Sequence, residues 1–163
     1  ALVVSVVFAL TSVVNAVSNN NLEGFAYNTE MNEGRVKTET VFKVENRKYL
    51  HNHLQYNYSY NAEGRISAKE VLKWSKENQR FEKQYCLNFS YDGTDINVEY
   101  VAWNSKMNAY ADVKAKTVYQ TVYQINAMGA NYQSYKWNKK DNSWNLTAEH
   151  STQAEEIMLF AEK

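Results

Sequence analysis

The amino-acid sequence predicts an all-β protein, an antiparallel meander of about eight or nine long strands built from four hairpin repeats. We expect the meander to form a curved sheet, an open barrel or a sandwich. Three observations support this: apolar and polar residues alternate with a period of two, the composition is rich in aromatics, and aromatic pairs recur at one fixed spacing. The chain has 13 Tyr, 4 Trp and no Pro, and aromatic side chains suit a pleated, half-buried surface.

The alternation is strictest in two segments of the chain. In residues 54–60 the sequence LQYNYSY places Leu and three Tyr on one face and Gln, Asn and Ser on the other. In residues 81–91 the sequence FEKQYCLNFSY follows the same rule, with Lys83 as the exception. Period two indicates strands with one buried face, which is the pattern of antiparallel sheets.

A pair of aromatic residues seven positions apart occurs four times, at 42/49, 74/81, 103/110 and 137/144. Between the copies, a glycine near Asn or Asp marks a second kind of turn, at Gly34, Gly64, Gly93 and Gly129. In a hairpin with an even loop, residues i and i+7 lie opposite each other and contact across the strands. A helix would need apolar residues at i+3 or i+4 as well, and only Met107 qualifies. The spacing therefore predicts four hairpins, each closed by an aromatic pair.

The first residues of the chain differ from the rest, because they run apolar to about residue 17 and then turn polar. This stretch falls short of the roughly 20 apolar residues of a membrane span, and its pattern is typical of a secretory signal peptide. We predict a signal peptide over residues 1–16, with its positive n-region missing, and a single β-rich domain over residues 17–163. The alternative is a buried N-terminal strand or helix. Residues 151–163 fit either a short capped helix or a last strand.

These features predict an exported protein, periplasmic or extracellular, with no membrane span in the mature chain. The chain has a single cysteine, Cys86, so it has no internal disulfide and its stability rests on packing. Eighteen basic and eighteen acidic residues give a net charge of +0. We therefore expect no nucleic-acid partner, since nucleic-acid binders usually carry a basic excess.

The turn sequences YNAEGRI and YDGTDI resemble the tyrosine-aspartate repeats of Rhs-type bacterial surface proteins. The matching positions are Tyr60, Gly64, Arg65, Tyr91, Asp92 and Gly93. The mature chain as a whole is more similar to a group of uncharacterised secreted proteins from Bacteroides and its relatives, a domain of unknown function. The resemblance rests on the N terminus, the Tyr- and Asn-rich strands, YSYNAEGRI and the W-N-x-K turns. It implies export and a β-rich fold, and it implies no activity.

Residues with catalytic or metal-binding potential carry no supporting motif. His51 and His53 alternate on a strand and could bind a metal with a third ligand, but a solvated polar face is the favoured explanation for them. Asp92 and Asp95 lack the ligand spacing of a calcium loop, and Cys86 has no catalytic signature around it. Nothing in the sequence selects a pair of glycosidase carboxylates. We expect no cofactor, no metal and no enzymatic activity.

The aromatic residues near the turns are the remaining candidates for ligand contact: Trp74, Trp103, Trp137, Trp144 and Tyr110. Aromatic planes can cover the C–H face of a sugar while nearby amides bind its hydroxyls, although packing of the repeat explains the same residues. The sequence thus favours an exported, non-enzymatic binding or surface-associated module for a glycan or another envelope protein. The alternatives are a structural envelope component and, less favoured, a hydrolase of an extracellular polymer.

Overall fold

The computed structural model of the protein describes residues 24–124 and 127–151, and the elements in these residues are all β-strands. The prediction of an all-β meander is confirmed. The strands are β1 (Gly24–Asn32), β2 (Arg35–Glu45), β3 (Tyr49–Tyr60), β4 (Ile66–Ser75), β5 (Arg80–Asp92), β6 (Asp95–Asn104), β7 (Ala109–Tyr110), β8 (Ala115–Gln124), β9 (Ala127–Asn138) and β10 (Ser143–His150).

The strands form one antiparallel sheet in the order β1-β2-β3-β4-β5-β6-β8-β9-β10, with β7 paired to β6 beside this path. The strands follow one another as a meander, and β1 and β10 stand at the two ends of the pairing order of the described strands. Nine of the ten strands have at least eight residues, whereas β7 has two. The predicted number of long strands is therefore confirmed, and β7 is an addition that continues the hairpin after β6.

Two compact units divide the chain, and each has its own buried residues. The first unit contains residues up to Ile66 together with Val71–Lys83, and it buries Val41 and Val71 to 3% exposure. Thr38 is also buried there, and its hydroxyl donates to Asn57 Oδ1 at 3.3 Å, which satisfies a polar group removed from water. The prediction of a single domain over residues 17–163 stays a prediction.

The second unit contains Ser67–Glu70 and the chain from Gln84 onward. Among its described residues, the buried side chains are those of Cys86, Ile96 and Val101. Cys86 lies directly opposite Val101 across β5 and β6, so the cysteine packs as a small apolar group on that face. Ile96 lies on the other face of β6, because it stands an odd number of residues from Val101.

Three of the four predicted aromatic pairs close a hairpin. The ring centroids of Trp74 and Phe81 are 5.0 Å apart, those of Trp103 and Tyr110 are 5.0 Å apart, and those of Trp137 and Trp144 are 5.3 Å apart. All three pairs meet edge to face, at interplanar angles of 70°, 72° and 66°. The strand registers place Trp103 opposite Tyr110 and Trp137 opposite Trp144, as the seven-residue spacing requires.

The residue after each of these tryptophans shapes the turn. Ser75 Oγ accepts the backbone N–H of Asn78 at 3.2 Å, and Asn104 Oδ1 accepts that of Lys106 at 3.1 Å. Asn138 Oδ1 accepts the N–H of Lys140 at 3.0 Å in the third hairpin. Short polar side chains form such bonds readily and so favour turns.

The last residue of each four-residue loop lies in the left-handed region, namely Gln79 (φ 52°), Asn108 (φ 49°) and Asn142 (φ 49°). Asn tolerates this conformation better than most residues with a side chain. The sequence pattern of these tips is therefore Trp, then Ser or Asn, with Asn or Gln four residues later.

The prediction of an aromatic pair at 42/49 is wrong. Glu45, not Phe42, pairs with Tyr49, and Phe42 lies opposite Asn52 beyond a register shift after Val41. The turn is tighter here because Asn46 and Arg47 both have positive φ, at 53° and 55°, as in a type I′ turn. The N–H of Lys48 closes it on the carbonyl of Glu45 at 3.0 Å. This copy lacks the Ser or Asn that follows the aromatic residue in the other three.

Three of the four predicted glycine turns are confirmed. Gly34, Gly64 and Gly93 lie between strands and have positive φ, at 76°, 78° and 56°. The prediction for Gly129 is wrong, because this residue lies within β9 and pairs with Val122. Gln124 pairs with Ala127, and residues 125 and 126 are outside the described residues.

The turn YNAEGRI is organised by Asn61, whose Oδ1 accepts the N–H groups of Glu63 at 3.1 Å and Arg65 at 2.9 Å. The N–H of Gly64 bonds to the carbonyl of Asn61 at 2.9 Å. A Cβ at position 64 would meet the Arg35 guanidinium at 2.5 Å. The positive φ of Gly64 favours glycine at this position, whereas the Arg35 guanidinium is the end of a flexible side chain that can move aside.

The predicted signal peptide at residues 1–16 and the alternative helix or strand after Ser151 lie outside the described residues. Within residues 24–124 and 127–151, no helix has the length and apolar character to cross a membrane.

Replacing Gln79 by Gly is expected to raise the free energy of unfolding by about 0.5–1 kcal/mol, because glycine adopts the left-handed conformation without the Cβ penalty. Urea denaturation measures the change. Glu77 lies in the same turn outside the left-handed region, so Glu77→Gly is the matched control and should lower the stability. Equal effects of both substitutions would contradict the assigned backbone conformation.

The edge-to-face contact of Trp74 with Phe81 is expected to contribute a coupling energy of about 0.5–1.5 kcal/mol. A double-mutant cycle of Trp74→Leu and Phe81→Leu measures it by urea denaturation. Trp74→Leu with Tyr27→Leu is the control cycle, since β2 and β3 separate the two positions by roughly 14 Å, and it should be additive. A coupling near zero for Trp74 and Phe81 would show that the hairpin does not depend on this pair.

Candidate ligand-binding site

The second unit contains a cleft between the β7–β8 connection and the hairpin of β9 and β10. Two backbone hydrogen bonds fix the connection in place. The N–H of Ala111 donates to the carbonyl of Ala102, and the N–H of Trp137 donates to the carbonyl of Lys114, both at 2.9 Å. The segment between these bonds therefore runs beside the aromatic pair that closes the hairpin.

This cleft, called the tryptophan cleft below, has a volume of about 390 Å³, within the range of small-molecule sites. It brings together Trp137 and Trp144, two of the five residues that the sequence predicts to contact a ligand. Its lining consists of Asp112, Val113, Lys114, Trp137, Lys139 and Trp144. An apolar wall thus stands beside one hydrogen-bond acceptor and two cationic donors, which is the mixture of groups that fixes the orientation of a polar ligand.

Lys116 on β8 reaches across β9 to the ring of Trp144 on β10. Its Nζ lies 4.7 Å from the centroid of the Trp144 ring and 5.6 Å from that of Tyr135. Lys116 and Tyr135 are direct partners across β8 and β9. The strand register therefore determines the cation–π contact of Lys116 with the Tyr135 ring. The contact of Lys116 with Trp144 and the edge of Trp137 together restrict the Trp144 ring, which remains half-buried.

Trp103 and Tyr110 form a separate pair within the second unit. The hydroxyl of Tyr110 donates a hydrogen bond to Glu70 Oε1 at 2.6 Å. This hydroxyl is therefore already used in a contact within the protein. Burial raises the pKa of Tyr110 well above its usual range, and the hydrogen bond to Glu70 and the charge of that carboxylate raise it further. Both rings are half-buried, and their role in this arrangement is to stabilise the hairpin.

Trp74 lines a second cleft, in the first unit, together with basic side chains of β2, β3 and β4. All four tryptophans are half-buried. Each therefore packs against its hairpin partner while part of its surface still contacts solvent. Packing and ligand contact, which the sequence presents as alternatives, are compatible at these positions.

The other candidate residues have ordinary structural surroundings. His51 Nε2 lies 2.8 Å from Glu45 Oε2, and the His53 ring lies 5.6 Å from that of Phe25. In the second unit, His150 stacks on Tyr132 at 5.7 Å. Asp95 flanks the Gly93 turn and accepts a hydrogen bond from Gln120 Nε2 at 3.2 Å. Among the described residues there is no group of three or more possible metal ligands.

Sequence reasoning missed the charged residues of the tryptophan cleft, Asp112, Lys114 and Lys139. Lys139 lies in the W-N-x-K turn and could have been found from its place beside Trp137. Asp112 and Lys114 lie in an irregular connection without alternation or motif. Only the pairing of β6 with both β7 and β8 brings that connection to the hairpin.

Replacing Tyr110 by Phe is expected to lower the free energy of unfolding at pH 7 by about 1.5 kcal/mol, since a hydrogen bond to a charged acceptor is lost. The folded pKa of Tyr110 is raised above the usual tyrosine value of 10.0, so the stability that Tyr110 contributes is complete below pH 10 and is lost as the pH rises further. The variant should therefore lose less stability than the wild type between pH 9 and pH 11.

Urea denaturation across this pH range tests the expectation, with Tyr49→Phe as control because Tyr49 is 59% exposed. The control should follow the wild type at every pH. Parallel pH profiles for wild type and Tyr110→Phe would contradict the proposed role of the Glu70 hydrogen bond.

Comparison with solved structures identifies proteins of the same fold. A protein of unknown function from Bacteroides fragilis NCTC 9343 aligns with a TM-score of 0.68 at 24% identity, over 85% of this chain and 99% of that one. A DUF3836 family protein from Parabacteroides distasonis ATCC 8503 gives 0.55 at 24% identity, over 60% of this chain and 91% of that one.

A second DUF3836 family protein, from Bacteroides vulgatus ATCC 8482, is 35% identical over 53% of this chain and 87% of that one, with a TM-score of 0.50. No curated protein matches the chain. The sequence pattern that defines DUF3836, a family of unknown function, matches residues 1–121. These matches confirm the resemblance to uncharacterised proteins of Bacteroides and its relatives, and the chain belongs to the DUF3836 family.

Proposed function

We propose that this protein is an exported, non-enzymatic binding module for carbohydrate, and that the tryptophan cleft is its binding site. One observation carries the proposal: Trp137 and Trp144 border the same cleft as Asp112, Lys114 and Lys139. Sugars present apolar C–H faces and a rim of hydroxyls. A site for them needs an aromatic surface with donors and acceptors at its edge.

The geometry of the two indoles supports this function. They meet at an angle of 66°, so they form a corner rather than a flat stack. A sugar ring can lie against one indole while its edge contacts the other. The ring positions are set in advance by the hairpin and by Lys116, which limits the conformational entropy lost on binding.

Binding without catalysis accounts for the groups in the cleft. Among its described lining residues, Asp112 is the one carboxylate. Glycoside hydrolysis generally uses two carboxyl groups on either side of the scissile bond. A single carboxylate with two lysines is suited to hydrogen bonding of hydroxyls, and export would bring the module to extracellular or envelope glycans.

Edge-strand association with another envelope protein is the second candidate function, and the side chains of β1 favour it. Phe25, Tyr27 and Met31 are 42%, 47% and 58% exposed on this strand. Apolar side chains at a sheet edge are a common basis for pairing with another chain. Sedimentation of the protein with solubilised envelope proteins, compared with its Tyr27→Lys/Met31→Lys variant, distinguishes this function from sugar binding.

The purified protein is expected to bind neutral glycans on an array, and Trp144→Ala should weaken binding to the best of them about tenfold or more. Loss of the aromatic wall is the physical reason. Isothermal titration measures the affinity, and thermal unfolding confirms that the variant remains folded.

Lys139→Gln provides a test that keeps the hairpin intact. It should weaken binding about three- to tenfold through one lost hydrogen bond. Lys140 lies next to it in the same turn and does not line the cleft, so Lys140→Gln should bind like the wild type. No binding to any arrayed glycan, or equal losses in both lysine variants, would rule out the proposed site.

A further inference from the structure

The tryptophan cleft stands at one end of a sheet face that continues along β8, β9 and β10 in the second unit. Directly paired residues of an antiparallel sheet point to the same face, and so does every second residue along a strand. The face that carries Trp137 and Trp144 therefore also carries three further rows of paired residues. In order away from the cleft, these are Lys116, Tyr135 and Leu146, then Val118, Gln133 and Glu149, then Gln120 and Asn131. This surface is called the β9 track.

Side-chain contacts link these rows on one surface. Lys116 Nζ lies 4.7 Å from the ring centroid of Trp144 and 5.6 Å from that of Tyr135. The Tyr135 hydroxyl in turn donates a hydrogen bond to Gln133 Oε1 at 2.9 Å. A continuous series of contacts thus joins the cleft to the middle of the track, and the cation, the phenol and the amide all lie on the side of the sheet that carries the indoles.

A β-bulge in the edge strand adds a carboxylate to the track. The register of β10 shifts between Leu146 and Ala148, so Ala148 pairs with Ser134 and Glu149 pairs with Gln133. Regular alternation after Leu146 would instead have placed Ala148 on the face of the track. The bulge therefore replaces a methyl group by a hydrogen-bonding group in this row, and bulges commonly re-aim a side chain in this way near functional sites.

The far end of the track contains a hollow of about 90 Å³. Its lining includes, from the track, Val118, Gln120, Asn131, Gln133 and Glu149. Tyr132 and His150 also border it at the edge strand, although their side chains belong to the opposite face. The hollow is well below the size of an independent small-molecule site. Its amide and carboxylate groups supply both donors and acceptors, so it suits the hydroxyls of a sugar ring that rests on the track.

The dimensions of the track indicate a chain of sugars rather than one sugar. Trp137 and Asn131 are six residues apart on β9, which corresponds to about 20 Å along the strand. A disaccharide in the tryptophan cleft would leave most of this length uncovered. Leu146, Gln133 and Glu149 are exposed, so the middle rows of the track are open to a ligand.

The groups of the track favour a neutral glycan over an acidic glycan or a peptide. Within its rows, Lys116 is the one cation and Glu149 the one carboxylate, so the track has no excess charge. An extended peptide gains affinity from main-chain hydrogen bonds at a sheet edge. The track lies on a sheet face, where the donors and acceptors are side chains.

We propose that the β9 track binds successive units of a linear, neutral glycan, with one ring against Trp137 and Trp144 and the following rings along Gln133, Glu149 and Asn131. The inference rests on the proposed carbohydrate-binding function and specifies its ligand as an extended polysaccharide held along its chain. Because the track follows one strand, an extended β-1,4-linked chain fits it better than a curved α-1,4-linked chain.

Isothermal titration with linear β-1,4-linked oligomers of glucose, mannose and xylose, from two to six units long, tests the proposal. For the series that binds best, the affinity should rise about tenfold or more from the dimer to the hexamer. Malto-oligosaccharides of equal length are the control and should show no such rise. Equal affinities for dimer and hexamer would overturn the track and leave the proposed site in the tryptophan cleft intact. Absence of binding by all three β-1,4-linked series would also overturn the track, whatever a glycan array shows for the cleft.

Substitutions on the two faces of the same strands separate the track from the cleft. Gln133→Ala/Glu149→Ala should abolish most of the rise with chain length, while the dimer binds within about twofold of the wild type. Lys136→Ala/Asn145→Ala is the matched control and should keep the full rise, since these exposed residues lie on the opposite face of β9 and β10. Trp144→Ala should weaken binding of dimer and hexamer alike, and thermal unfolding confirms that each variant is folded. Equal losses in both double variants would reduce the effect to a general change in the sheet and contradict the proposal.

Discussion

The edge-to-face contact of two aromatic rings across a hairpin tip is the interaction on which most of this structure depends. It occurs three times with nearly the same geometry, at centroid distances of 5.0, 5.0 and 5.3 Å. A meander has no covalent or helical constraint on how its strands are paired. An aromatic pair beside each of these turns fixes the register where it is first established, and every later pair along the strands follows from it.

The polar residues within each hairpin tip determine the shape of the turn as specifically as the aromatic residues determine the pairing. Ser75, Asn104 and Asn138 accept backbone N–H groups of their own loops, and the loops end in a residue with positive φ. The turn at residues 46–48 shows what happens when no Ser or Asn follows the aromatic residue, since Lys43 follows Phe42. This turn is tighter, Glu45 pairs with Tyr49, and Phe42 has no aromatic partner opposite it. Aromatic spacing alone is therefore insufficient to set the register.

The tryptophan cleft is a consequence of this hairpin chemistry. A tryptophan held edge-on by its partner is half-buried, so part of the ring is available to a ligand at no further ordering cost. Lysines that make the turns soluble then lie next to an apolar surface, as Lys139 does in the tryptophan cleft. The same short motif thus stabilises the sheet and supplies the mixed surface on which the proposed carbohydrate site rests.

The sequence by itself determined the fold class, the nine long strands, three of the four aromatic hairpins and three of the four glycine turns, because these depend on local periodicity and turn chemistry. Tertiary structure decided what local patterns cannot encode. Gly129 lies within β9 rather than in a turn because strand pairing with Val122 outweighs a weak local preference. Asp112 and Lys114 reach Trp137 only through the pairing of β6 with β7 and β8, and Lys116 and Glu149 share a sheet face only because β8, β9 and β10 are neighbours. Sites of this kind join residues from distant parts of the chain, so their chemistry appears only when the sheet is assembled.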